Sequence, residues 1–424
     1  MAKTITGKQV GDSYYQVEHP SGLTVLLYPK EHCSTTYAIF GTRYGSIDNC
    51  FQRSDEAGPE SVPEGIAHYL EHKLFESEEG DAFERFSKTG ASANAFTSFE
   101  STCYLFSTTD QVYQSLEILL DFVQSPYFTE ETVRKEQGII GQEIKMYDDD
   151  PQWRVMFNYL KAMYHSHPIR EDIAGTVESI AKITPELLYR CYNTFYNLGN
   201  MVLAIAGNFQ VDKALAVCDK MLKPAAPVTV QRVFPQEPDT IVQPVVEERL
   251  SVASPLFQFG FKEPGADQPR SEKDVAATEV LLETLASDAS PLFRRLLDQG
   301  LVNESSFSYE YFEGNGYATV MFSGESKDPQ AVAQAILEEV ERFQREGIPA
   351  EAFERSKRAL YGELVAALNS TGSIANGLVN MHLKGRELFT YIDSLASLRL
   401  EEGEERLRKV FQRERSVLSV ILPH

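Results

Sequence analysis

Three residues within five positions could do chemistry together: His68, Glu71 and His72, in the run HYLEH. At about 100° per helical residue, the histidines lie about 40° apart and Glu71 about 60° to the other side of His68. Both imidazoles and the carboxylate therefore leave one stripe of a helix. H-x-x-E-H is the inverted form of a zinc-hydrolase signature. A catalytic zinc takes three protein ligands and keeps a further position for water, so the two histidines require a donor from elsewhere. Absent such a donor, the pair reads as ordinary hydrogen-bonded core histidines.

A second segment, TEETVRKEQGIIGQEIKMY from Thr129, supplies candidates. It reads as a helix with Thr129 placed to cap it and acids in its first turn. Glu136 and Glu143 are seven residues apart and nearly superposed on such a helix. With Glu136 as origin, Val133, Ile139, Ile140, Met146 and Tyr147 fall within about 80°, which predicts an apolar stripe carrying both glutamates toward the core. Arg134, Lys135, Gln137, Gln142 and Lys145 take the opposite face. Carboxylates on a core-facing stripe are costly unless paired or bound to a cation. A salt bridge to an inward arginine is the structural alternative. With HYLEH in the same region, metal ligation accounts for them better.

The motif helix has entry signals of its own: Ser61 and Glu64 stand at capping-box spacing, and Pro63 falls early in the first turn. Ile66, Ala67, Tyr69, Leu70 and Leu74 fill its remaining faces, so it is expected to be buried nearly all round. Residues 224–249 carry five prolines and are expected to form an extended linker between residues 1–223 and 250–424. The two halves repeat one pattern. FTEETVRKEQGIIGQEI from Phe128 lines up with IPAEAFERSKRALYGEL from Ile348, Glu143 against Glu363. Strand-like runs open each half and a helical run follows. The expected fold is α+β: two related domains, each an antiparallel sheet with helices packed on one face. In the second half Thr278, Leu281 and Leu282 occupy the places of His68, Glu71 and His72, so that domain is expected to lack a metal site.

Composition narrows the partners. Of 424 residues, 42% are hydrophobic and 24% charged, enough apolar content for sizeable cores. Acidic residues outnumber basic ones 62 to 40, for a formal charge of −22, which disfavours nucleic acid and anionic membrane surfaces. The five cysteines show no CxxC spacing, the N-terminal run lacks the apolar core of a secretory signal, and no run is long enough to span a bilayer. These features predict a cytoplasmic protein. His165 and His167, at a spacing no helix face accommodates, read as loop residues. Asp148–Asp150 read as a solvated turn before Pro151, since the EF-hand ligand pattern is missing.

HYLEH followed by EQGIIGQE resembles the pitrilysin/insulinase family of zinc peptidases, the inverzincins. GASANAFTSFESTCYLF from Gly90 is similar to that family's edge-strand segment, and HPIREDIAGTVESIAKIT from His167 to its following helical region. The resemblance covers most of residues 20–210 and the second half more loosely. It implies the processing-peptidase type of fold and the short two-domain bacterial subfamily, similar to mitochondrial processing peptidase subunits, whose chains pair into a clam-shell. Residues 1–223 would then be the catalytic domain. By the same resemblance, His68, His72 and Glu143 would hold one zinc ion per chain, and Glu71 would be the general base that activates the zinc-bound water. Glu136 would orient a ligand, its alternative being a structural ion pair. Asn94 and Ala95 would hold the backbone of an extended peptide, the alternative for Asn94 being a turn or bulge residue.

One departure affects the partner. Active relatives carry an arginine and, seven residues on, a tyrosine in the second domain, facing the scissile carbonyl. Aligning Gly300-Leu301 puts Leu296 and Asn303 at those places, with Arg294, Arg295, Tyr309 and Tyr311 near but out of register. A related, zinc-free partner chain supplying that pair in a heterodimer is the expectation, with a homodimer as the other arrangement. The expected activity is zinc-dependent endopeptidase action on extended or unfolded peptides. The alternatives are a non-catalytic assembly subunit keeping the fold, which the intact site set disfavours, and a zinc hydrolase of small non-peptide substrates.

Overall fold

The computed structural model describes residues 2–78, 80–224, 226, 228–265 and 268–424. Runs of alternating and continuous apolar residues pair into two large sheets. The first has seven strands, in the order Lys3–Gly7, Asp12–Glu18, Thr24–Pro29, Met201–Gly207, Thr36–Thr42, Thr102–Thr108 and Ser92–Thr97. The second has five: Val245–Leu250, Ser416–Pro423, Leu256–Lys262, Tyr317–Glu325 and Ser308–Gly314. The last five strands of the first sheet match the second one for one. In each, the opening strand pairs parallel with the half's closing strand, Thr24–Pro29 with Met201–Gly207 and Val245–Leu250 with Ser416–Pro423. The other pairings are antiparallel. The single parallel pair in each sheet follows from connectivity, because the chain returns to the sheet only after its helices. The fold is the expected duplicated α+β arrangement, and the repeat is explicit in strand order.

The compact units are discontinuous in sequence. One comprises Met1–Ile144, Glu171–Val233 and Val365–Thr390; the other comprises Lys145–Arg170, Phe234–Leu364 and Tyr391–His424. Each half thus gives a helix to the other unit, a crossing that the division at residues 223 and 250 does not contain. Helix Thr371–Leu383 packs on strands Met201–Gly207 and Thr36–Thr42 of the first sheet. Arg43 caps its C-terminal end, donating from Nε to Leu383 O and from Nη2 to His382 O, both at 2.8 Å. A cation there also complements the negative end of the helix dipole. In the second unit helix Pro151–Met163 lies on strands Ser416–Pro423 and Leu256–Lys262, where Val155 packs with Leu256 and Ile421. Tyr159 Oη meets Thr319 Oγ1 at 2.6 Å, and Arg154 pairs with Glu248 at 2.7 Å. Every residue of Met201–Gly207 and of Leu256–Lys262 is buried, so these central strands leave no face open.

The proline-rich segment is extended, as its prolines dictate, yet it is built into the units. Val230–Arg232 pairs antiparallel with Cys50–Arg53, and Val245–Leu250 is a strand of the second sheet. Between them Glu237 accepts the backbone amides of His165, Ser166 and His167 at 2.8–2.9 Å and pairs with buried Lys262 at 2.6 Å. His167 is itself structural. Its Nε2 meets Asn315 O at 2.9 Å, its Nδ1 accepts the Ile169 amide at 3.1 Å, and burial pushes its pKa down to about 4. Among the described residues no helix is long and apolar enough to cross a membrane.

Candidate metal centre

The motif helix runs Ile66–Leu74 and, as its sequence predicts, buries every residue except His72, which is half-buried. Its start differs from expectation. The helix begins after Gly65 without a side-chain cap, and Glu60–Ser61 forms a short strand, so the Ser61–Glu64 capping box does not form. Tertiary packing sets the start instead. Gly65 has φ 85°, and a Cβ there would stand 2.2 Å from Ala174 O, so only glycine fits. Ser179 Oγ, from the region following His167, donates to Glu64 O at 2.9 Å and pins the same turn.

The glutamate helix runs Glu130–Asp148 and starts as expected: Thr129 Oγ1 accepts the Thr132 amide at 3.2 Å. Its apolar arc is shifted from the predicted stripe. Val133, Ile140 and Ile144 are buried, whereas Ile139 is 49% and Met146 61% exposed. The glutamates stand on the border of the buried arc, between it and Ile139 and Met146, and so face the histidine helix rather than the core interior. Tyr69 ties the two helices together by donating its hydroxyl to Val133 O.

Three side chains from these helices converge. His68, His72 and Glu143 each offer one ligand atom within 4.8 Å of the others. His68 Nε2 lies 3.7 Å from Glu143 Oε1, and His72 Nε2 lies 3.5 Å from Glu143 Oε2. These separations are too long for good hydrogen bonds. They are close to the roughly 3.4 Å that separates two ligands held at about 2.0–2.1 Å by a tetrahedral ion. Among the described residues this is the one such cluster.

The electrostatics agree. Burial, followed by the neighbouring His72, pushes the His68 pKa down to about 4, which keeps this imidazole in its neutral, ligating form. His68 Nδ1 is buried without a hydrogen-bond partner among the described residues. His72 Nδ1 meets Glu136 Oε1 at 3.0 Å, which orients the ring and leaves Nε2 for a metal. Burial opposes a charge on His72, but the Glu136 hydrogen bond and the Glu71 and Glu143 charges outweigh it and raise its pKa. A field that favours a proton on His72 favours a divalent cation there too, and the two compete. Burial raises Glu136, and the His72 hydrogen bond with the Lys73 and Lys135 charges more than offsets it, so the group is held below its ordinary value. The donor set, two imidazoles and one carboxylate, suits zinc.

Glu71 is 9% exposed, and burial raises its pKa above its ordinary value. Its Oε2 accepts a hydrogen bond from Thr97 Oγ1 at 2.9 Å. Thr97 ends strand Ser92–Thr97, the edge strand of the first sheet, which also carries Asn94 and Ala95. Asn94 is exposed, and its Oδ1 accepts the Ala95 amide at 2.9 Å. Sequence reasoning missed Thr97, although the period of two puts it on the face of Ala95, two residues before it. It also missed Lys73, fully buried beside His72 and paired with Glu76.

Glu136→Gln is expected to lower metal affinity about 10–100-fold while leaving all three ligands in place, because it weakens only the bond that orients His72. Competition with a chromogenic chelator reads this directly, and an unchanged affinity would assign Glu136 to a structural ion pair.

The fold repeats one domain, and among the described residues the ligand cluster lies in the first copy alone. Residues 60–177 match the family model Insulinase (Peptidase family M16), and residues 182–360 match Peptidase M16 inactive domain. The chain is 39% identical over 428 residues to the uncharacterized zinc protease YmfH of Bacillus subtilis, covering 100% of both chains. It superposes with a TM-score of 0.92 on a solved M16-like protein from Alicyclobacillus acidocaldarius, at 35% identity over 100% of this chain and 98% of that one. It is also 24% identical over 344 residues to the probable mitochondrial-processing peptidase subunit beta of Arabidopsis thaliana, covering 77% of this chain and 63% of that one. The chain belongs to the insulinase family of peptidases, family M16.

Proposed function

We propose that this chain is a zinc-dependent endopeptidase of extended or unfolded peptides, holding one zinc ion through His68, His72 and Glu143. The observation that carries the reading is the convergence of those three ligand atoms with a buried carboxylate, Glu71, beside them. When bound, zinc supplies a Lewis acid that acidifies water and polarises a carbonyl. Glu71 takes the proton from the attacking water and returns it to the leaving amine. Glu136 keeps the His72 ring turned toward the ion through the 3.0 Å contact at Nδ1. The edge strand at Asn94 and Ala95 adds an extended peptide by main-chain pairing, which tolerates many sequences and requires an unfolded substrate.

A partner chain completes the reading. Leu296 is fully buried, and Asn303 is occupied in a turn, its Oδ1 accepting the Ser305 and Ser306 amides at 3.1 and 2.9 Å. Of the neighbouring groups, Arg295 is engaged within the second unit with Glu339, Tyr309 with Glu283 and Tyr311 with Glu263, while Arg294 is exposed. A related zinc-free subunit carrying an arginine and a tyrosine would supply the missing pair. A cytoplasmic site of action in a bacterium goes with five free cysteines, none paired.

The test is hydrolysis of a mixture of unstructured peptides by the zinc-loaded chain, alone and mixed with a related zinc-free subunit, with and without chelator. The expected result is feeble, chelator-sensitive cleavage alone and a large gain on mixing. Equal rates alone and mixed would remove the partner. Zinc-loaded chain that cleaves nothing in either state would favour the non-catalytic assembly role.

A further inference from the structure

We propose that Thr97 is a positioning residue that fixes the base Glu71 from the same strand that receives the peptide. The inference rests on the endopeptidase reading above and adds a residue to it. Thr97 Oγ1 donates to Glu71 Oε2 at 2.9 Å, which commits one carboxylate oxygen and leaves Oε1 to face the reacting water. A carboxylate on a buried helix would otherwise rotate about its last side-chain bond, where the barrier is low.

The strand that carries the hydroxyl is itself held. Thr102, fully buried on the adjacent strand and paired in register with Thr97, donates to Tyr44 O at 2.9 Å and brings its Oγ1 to 3.4 Å from Thr97 Oγ1. The hairpin joining the two strands is tied down at its tip. Ser98 N donates to Ser101 O at 2.8 Å, and the Ser46 and Ile47 amides donate to Ser98 O and Phe99 O at 3.0 and 3.1 Å. Gly45 permits that approach, since a Cβ there would stand 2.3 Å from Phe99 O. The segment beneath is anchored by buried Asp48, which accepts the Gly45 amide at 2.9 Å and pairs with Arg232 at 2.7 Å.

Thr97 and Ala95 lie on one face of the strand by its period of two. One stiff hairpin therefore carries both the peptide-pairing edge and the donor that aims the base. A peptide added at Asn94–Ala95 is registered against Glu71 through one strand, in which Thr97 stands two residues beyond Ala95, and not through two independently moving elements. This linkage gives proximity without a closing motion.

Thr97→Val keeps the shape and removes only the donor; Thr97→Ser keeps the donor. For the zinc-loaded chain, assembled with its partner subunit where one is required, Thr97→Val is expected to lower kcat about 10–100-fold, the worth of one hydrogen bond to a charged group. KM and zinc affinity are expected to stay within about twofold of the native values, and Thr97→Ser to recover kcat to within about threefold. A second readout needs no turnover: in a crystal structure of zinc-loaded Thr97→Val, the Glu71 carboxylate is expected to leave its position or to occupy several. The inference is overturned if the loss falls on KM or on zinc binding, if Thr97→Ser does no better than Thr97→Val, or if Glu71 stays in place in the valine variant. Should the native enzyme hydrolyse no peptide at all, the endopeptidase reading fails, and the position of Glu71 in the valine variant still decides the role of Thr97.

Discussion

Glu71→Gln is expected to bind zinc as tightly as the native chain and to lose hydrolysis by about 10²–10⁴-fold, the range of a missing general base. The side chain is not among the three whose ligand atoms converge, so the amide leaves the metal set intact. It also preserves volume, and an amide oxygen can still accept from Thr97 Oγ1, the contact now made at 2.9 Å. What disappears is the capacity to hold a proton between attack and departure. A buried carboxylate with a raised pKa is suited to that task, because it takes a proton readily and its neutral form is not penalised by burial. Metal content measured beside initial rates separates the two effects. Glu71→Gln with native rates would assign the proton transfer to another group.

Glu143→Ala is expected to behave in the opposite way, losing the metal first and activity only as a consequence. Structural zinc binding is worth on the order of 10–16 kcal/mol over its ligands, so removing one of three donors weakens affinity by about 10³-fold or more. His72→Ala is expected to match it. Glu363→Ala is the control, since Glu363 is the repeat's counterpart of Glu143 but is exposed and lies outside the described metal cluster. Chelator competition on the three variants reads the affinities. Native affinity in Glu143→Ala would show that the third ligand lies elsewhere.

Much of this site was legible in the sequence because its geometry is local. The four-residue spacing of His68 and His72 and the seven-residue spacing of Glu136 and Glu143 set their shared faces before any tertiary contact is known. What local periodicity misses is set by packing between elements. The motif helix starts at Ile66, not near Ser61, because Gly65 must pass close to Ala174. Ile139 and Met146 continue the apolar pattern yet are exposed, because the helix turns its buried arc toward Val133, Ile140 and Ile144. Thr97 has no motif of its own, and only the approach of the edge strand to the motif helix gives its hydroxyl a role. The duplication was visible in the sequence, whereas the exchange of helices Pro151–Met163 and Thr371–Leu383 is a property of topology that no period encodes.

The most direct measurement is a crystal structure of the zinc-loaded protein with anomalous data collected on both sides of the zinc absorption edge. The account predicts one anomalous peak per chain, about 2.0–2.2 Å from His68 Nε2, His72 Nε2 and a Glu143 oxygen, with Glu71 outside the coordination shell. A peak bound elsewhere, or a zinc site from which Glu143 is absent, would contradict it.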